Sequence, residues 1–227
     1  RSSDLFDVAR VFALHTAPGL PEGSFHTTPG PFLAAVDTFE VHVSGRGGHG
    51  ALPHESVDPI PPALAIAQAL PTIVSRNRHA ADALVVSLTQ IHAGSANNVI
   101  PRTAWLNGTV RTYDPSVQEM VAARMAETAR LDYIRDYPAT VNDAAQALFA
   151  AEVAAEIASE DGVDAEMPPD MGAEDFSFML EARPGAFLFL GQGPGPGLHQ
   201  PEFDFNDDVA PVGASFFARL VERAQPL

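Results

Sequence analysis

The chain holds no cysteine and no lysine, so its eight histidines are the side chains whose chemistry is most telling. Thiolate nucleophiles, disulfides, Schiff-base lysines and phosphate loops that end in lysine are all excluded for this stretch. Three histidines occupy distinctive places. His49 stands in GRGGHG, between Gly45, Gly47, Gly48 and Gly50, where backbone adopts conformations closed to other residues or is approached closely by another group. His15 ends a near-continuous apolar run from Val8 to Leu14, broken only by Arg10. His199 lies in a Gly/Pro-rich loop after the apolar AFLFL, with Glu202, Asp204, Asp207 and Asp208 nearby. An imidazole can donate to a developing oxyanion, move a proton, or ligate a zinc-like metal. The competing readings are a surface turn with an incidental histidine at His49 and a structural histidine at His15.

The elements around these residues explain why they could act. Phe39, Val41 and Val43 alternate with Glu40, His42 and Ser44, which predicts a strand leading into the His49 loop. Asp58 and Pro59 then predict a helix start, with the helix running to about Ser75 and kinked at Pro71. Strands follow over Leu84–His92 and Val99–Thr112, the second broken at Pro101. A helix from Asp114–Pro115 and a strand over Leu131–Tyr137 complete the set. This βαββαβ order predicts a four-stranded antiparallel sheet with two helices on one face, the ferredoxin-like arrangement. The connection around Thr128–Leu131 reads as unusually tight, which suggests a short helix or absent residues.

Outside that block, Val8–Leu14 and Ala186–Leu190 read as two buried strands of one α/β sheet. If they are parallel neighbours, His15 and His199 meet at one rim, where ligands of such sheets collect. A pair of imidazoles alone does not make a metal site. Helices are expected over Asn142–Ala158 with Asn142 as cap, Glu174–Leu180, and Val209–Ala224. The expected fold class is therefore α/β: a partial α/β sheet domain over 1–36 and 139–227, with an inserted α+β domain over 37–138. Glu174–Asp175 and the acidic cluster read as helix starts and solvated loop. His54 and His92 read as structural, and His26, His42 and His79 as surface residues.

Composition narrows the partners. A formal charge of −16 argues against nucleic acid and anionic membrane. No apolar run reaches the ~18 residues that a membrane span needs. The expectation is a cytoplasmic protein of ordinary globular composition, 46% apolar.

In order along the chain stand GRGGHGALPHESVDPI, IHAGSANNVIP, NGTVRT, MGAEDFSFML and LHQPEFDFND. Together these resemble the co-catalytic metallopeptidase family of aminoacylases, carboxypeptidase G and amidohydrolases, and most of all its hippurate hydrolase and indole-acetyl-amino-acid hydrolase branch. The resemblance runs over nearly the whole chain. It implies a catalytic domain with two divalent metal ions, zinc or manganese, and an inserted lid domain that mediates homodimerisation. By the same resemblance, His15 and His199 are metal ligands. His49 is the lid histidine that reaches the partner subunit's site, and Asn98 and Arg111 contact substrate. The implied reaction is hydrolysis of the amide bond of an N-acyl amino acid or similar small conjugate. The family's other ligands and its glutamate general base match nothing here and would precede Arg1. Two alternatives stand beside this reading: a non-enzymatic dimerisation or binding module, and a dipeptidase or aminopeptidase of the same family.

Overall fold

The structure is a computed structural model that describes Leu5 and residues 7–225. The chain divides into two compact units, Arg1–Leu33 with Thr140–Leu227, and Ala34–Ala139. The first cut falls three residues earlier than the sequence suggests (33 against 36), the second one later (139 against 138). The reason is local. Pro31 lies inside a short strand that continues almost directly into the next.

The first unit opens with β1 (Val11–Ala17), β2 (Phe25–His26) and β3 (Gly30–Leu33). After the second unit it resumes with β10 (Thr140–Asn142), α3 (Ala144–Ala158), β11 (Val163–Asp164), α4 (Ser177–Ala182), β12 (Gly185–Gly191) and α5 (Ala210–Ala224). Its main sheet has the order β1-β12-β2-β11. The β1–β12 and β2–β11 pairs are parallel and β12–β2 is antiparallel. The FLFL run is apolar at every position because β12 is covered on both faces. Leu188 and Leu190 pack with Phe25, Ala150, Phe216 and Leu220, while Phe187 packs with Phe32 and Phe176. Each fully buried ring contributes about 1.5–3 kcal/mol.

Four expectations for this unit need correction. β1 begins at Val11 and runs on through His15 to Ala17, because β12 offers it a partner as far as Gly191. Asn142 is not the cap of α3. It is a buried residue of β10, and Asp143 caps the helix by accepting from the Gln146 N–H at 3.0 Å. The helix expected from Glu174 begins only at Ser177. His26 is no surface residue, with its side chain only 12% exposed.

The second unit comprises β4 (Ala35–Ser44), β5 (Gly48–His49), α1 (Ile60–Ala69), β6 (Leu84–Ala93), β7 (Val99–Ile100), β8 (Thr103–Thr112), α2 (Pro115–Thr128) and β9 (Leu131–Tyr137). The sheet order is β6-β8-β4-β9, antiparallel throughout. Ala63 of α1 and Val117, Val121 and Met125 of α2 share one core with Phe39, Val41, Leu106 and Val110, so both helices cover one face. Proline shapes α1: it stops at Ala69, ahead of Pro71, and the chain resumes as a single π-turn over Ile73–Asn77. Ala129 and Arg130 alone join α2 to β9, so the connection is as tight as the sequence suggests and the helix is not short. Inside this unit Asp37 is a buried carboxylate, accepting from Tyr133 Oη at 2.6 Å and Gln118 Nε2 at 2.7 Å. Burial pushes its pKa above the ordinary range, and the two hydrogen bonds offset this only in part. Burial and the bond to Asp37 likewise push the Tyr133 phenol up.

Candidate functional site

In the first unit, β1 and β12 run parallel and in register, so their carboxyl ends share one rim. His15 stands two residues before the end of β1, opposite Phe189, with the Phe187 and Phe189 rings each 6.3 Å from its own. Its Nδ1 lies 2.7 Å from the Thr16 carbonyl oxygen. A carbonyl only accepts, so Nδ1 carries the proton and Nε2 keeps the lone pair, the arrangement found in imidazoles that ligate metals through Nε2.

The segment after β12 carries His199, which is exposed and held at φ 64°. Its stem is tied to the end of β1. Gln192 N–H donates to Ala17 O at 3.2 Å, Gly19 N–H to Gly193 O at 2.8 Å, and Gly193 N–H to Leu20 O at 2.9 Å. Gln192 and Asn206 then fasten the two ends of the loop together. Gln192 Nε2 donates to Asp204 O, and Asn206 Nδ2 donates to Gln192 O, both at 3.0 Å. Gln192 Oε1 is buried without a hydrogen-bond partner, an exception to the usual satisfaction of buried polar atoms. Sequence reasoning missed Gln192, because a glutamine after a buried strand carries no signal that distinguishes it from a solvated one.

Among the described residues, no three His, Asp or Glu side chains are grouped so as to hold a metal ion. Asn206 accepts from the Asp208 N–H at 3.0 Å, so Asp207 and Asp208 begin a helical turn rather than add ligands. The donors present in this chain therefore do not by themselves fit a metal centre, which takes three or four protein ligands.

In the second unit the β5–β7 pair extends the β4–β8 ribbon. Ser44 pairs with Thr103, Gly45 N–H donates to Arg102 O, and after a bulge Gly48 pairs with Ile100 and His49 with Val99. The glycines allow this close approach: a Cβ on Gly45 would lie 2.2 Å from Val57 O. His49 is exposed at the tip, and its Nδ1 accepts the Ala51 N–H at 3.1 Å. The proton of the neutral ring therefore sits on Nε2, which points a donor outward. Gly50 N–H donates to Asn98 O at 2.8 Å, so His49 and Asn98 are brought together. Arg111 is not brought to them. It pairs with Val36, thirteen residues from His49 and about 40 Å away along the ribbon.

Residues 3–223 match peptidase family M20/M25/M40. The chain belongs to this family. It is 35% identical over 224 residues to N-acetylcysteine deacetylase of Bacillus subtilis, covering 94% of this chain and 58% of that protein. It is 32% identical over 226 residues to hippurate hydrolase of Campylobacter jejuni, covering 95% and 59%. A crystal structure of a dinuclear metal-binding M20 peptidase from Bacillus subtilis matches with TM-score 0.75 and 28% identity, over 96% of this chain and 57% of that one. This M20 chain thus spans less than three fifths of the length of these relatives. It has the mixed α/β fold of its family, and among the described residues no helix is long and apolar enough to cross a membrane.

Proposed function

We propose that this chain is part of a metal-dependent amidohydrolase that cleaves the amide bond of N-acyl amino acids or similar small conjugates. The residues of the second unit act as its lid, and a homodimer completes its site. The observation that carries this reading is the shared rim of β1 and β12, with His15 protonated at Nδ1 and the His199 stem tied to the end of β1. His15 and His199 would supply two of the nitrogen donors to a pair of divalent cations, zinc or manganese. The other donors and the general base lie outside this chain. Cations of that kind lower the pKa of bound water. The names of the relatives, a deacetylase and a hippurate hydrolase, favour small N-acyl substrates.

His49 donates from Nε2 to the carbonyl oxygen as it gains charge, Asn98 binds beside it, and Arg111 pairs with the substrate carboxylate. The ribbon separates His49 from Arg111 too widely for one small molecule to touch both in one chain, so His49 comes from the partner subunit. The edges of the sheet favour a second copy at β6. That ten-residue edge strand, LVVSLTQIHA, has no charged or proline residue to guard it, whereas β9 carries Asp132, Arg135 and Asp136.

Mixed subunits separate the possibilities. In the whole polypeptide that carries this sequence, His49→Ala and Arg111→Ala each lower hydrolysis of N-acyl amino acids about 100-fold or more. Mixing the two variants restores part of the activity, because one of the two sites then holds an intact His49 and Arg111. No recovery on mixing refutes supply from the partner. Full metal content without hydrolysis of any N-acyl amino acid refutes the amidohydrolase reading.

A further inference from the structure

A cavity of about 410 Å³ in the first unit is lined among others by Glu22, Ser24, His26, Asp161 and Asp164. Three of these residues stand in line. Ser24 Oγ is 2.7 Å from His26 Nε2, and His26 Nδ1 is 3.7 Å from Asp164 Oδ2. The backbone dictates the order. Ser24 and His26 are two residues apart at β2 and share a face, while Asp164 of β11 is the register partner of His26. Asp164 is itself anchored, because its Oδ1 accepts the Glu166 N–H at 2.9 Å and Oδ2 is left to face the imidazole. A carboxylate beside Nδ1 favours the tautomer protonated there, which leaves the Nε2 lone pair facing the serine hydroxyl. That is the role order of a Ser-His-Asp nucleophile.

We propose that Ser24, His26 and Asp164 form a separate, metal-independent nucleophilic site that is acylated by activated esters. In the resting structure the Ser24 hydroxyl donates to Pro21 O at 2.5 Å, so it must turn from that carbonyl to His26 Nε2 before it can pass on its proton. In the reaction the proton passes to His26 Nε2, and Oγ bonds to the acyl carbon. The bond from that carbon to the leaving oxygen breaks, and a phenolate departs. Water then attacks the acyl carbon, giving one proton to the system as a carboxylic acid forms, and His26 returns its proton to Ser24.

The surroundings restrict the substrate class. The N–H groups of Gly23 and Ser24 are already bonded to Gly191 O and Pro21 O, so neither is free as an oxyanion donor. Without such donors, which are worth about 100- to 1,000-fold each, amides are out of reach and esters with good leaving groups remain. Glu22 and Asp161 make the walls acidic, which favours neutral or cationic acyl groups over anionic ones.

The test uses p-nitrophenyl acetate with the purified protein in EDTA, so that metal-dependent hydrolysis is silent and the outcome is independent of the proposal above. The expected result is a burst of one p-nitrophenolate per chain, with one acetyl group mapped to Ser24 by peptide mass spectrometry. Ser24→Ala abolishes the adduct, and His26→Gln slows its formation about 100-fold or more. Circular dichroism identifies any variant that fails to fold, and diisopropyl fluorophosphate labelling of the unaltered protein at Ser24 is then the deciding measurement. Acetylation mapped elsewhere, or no burst at all, overturns the proposal.

Discussion

Replacing Asn142 by alanine tests how the sheet of the first unit is finished. The strands β2 and β12 pair at His26–Phe189 and then diverge. The Asn142 carboxamide fills the gap: Oδ1 accepts the Phe187 N–H at 2.8 Å, and Nδ2 reaches Thr28 O at 3.0 Å, Phe187 O at 3.1 Å and Thr27 Oγ1 at 3.1 Å. It acts as a peptide group supplied by a side chain, and it is 2% exposed. Alanine leaves the Phe187 N–H and Thr28 O without partners, whereas Phe187 O keeps the Thr27 hydroxyl at 3.0 Å. The Phe187 N–H is buried and the Thr28 carbonyl part-buried, and two unpaired groups at about 1–3 kcal/mol each give an expected loss of about 2–6 kcal/mol. For a chain of this length that lowers the melting temperature by roughly 5–15 °C. The chain has one tryptophan, Trp105, in the second unit, so fluorescence follows that unit while far-ultraviolet circular dichroism follows both. The loss is expected in the circular dichroism transition that does not track tryptophan. A loss below about 1 kcal/mol refutes the reasoning, since the two groups must then find other partners.

Further outcomes follow from other buried contacts. The carboxyl of Asp37 is raised above 3.8 in the folded chain, so the stability it contributes is greatest below that pH and is lost as pH rises through the raised value. Asp37→Asn removes that slope. The stability difference between the two proteins, read from Trp105 fluorescence during urea unfolding, is expected to shift towards the variant as pH rises, and a difference that stays flat contradicts the assignment. Gly45→Ala pushes a methyl group into Val57 O and is expected to break the Arg46–Val57 bridge. Amide exchange at Arg46 and Val57 should rise at least tenfold while the β4–β8 ladder keeps its protection, and unchanged exchange would show that the loop accommodates the methyl.

Much of the architecture is written in local pattern. The alternation in Phe39–Ser44, the apolar FLFL run and the cap at Asp114 act over a few residues, so strand and helix spans can be read directly from the sequence. The chemistry of His15, His49 and His199 is legible in the same way, as residue type and the loops that flank it. Limits set by a neighbour are not. The sequence ended β1 at His15, but β12 carries it to Ala17, and Asn142 was expected to cap a helix because nothing local reveals the gap it fills. Pairing is also what fixes the ring tautomers, through the Thr16 carbonyl for His15 and the Ala51 amide for His49. The alignment of Ser24, His26 and Asp164 joins residues 140 positions apart, counted from Ser24 to Asp164, through one strand register. Sequence thus determines what each segment prefers over its own few residues. Which donor meets which acceptor depends on contacts between distant segments, and those exist only once the chain has folded.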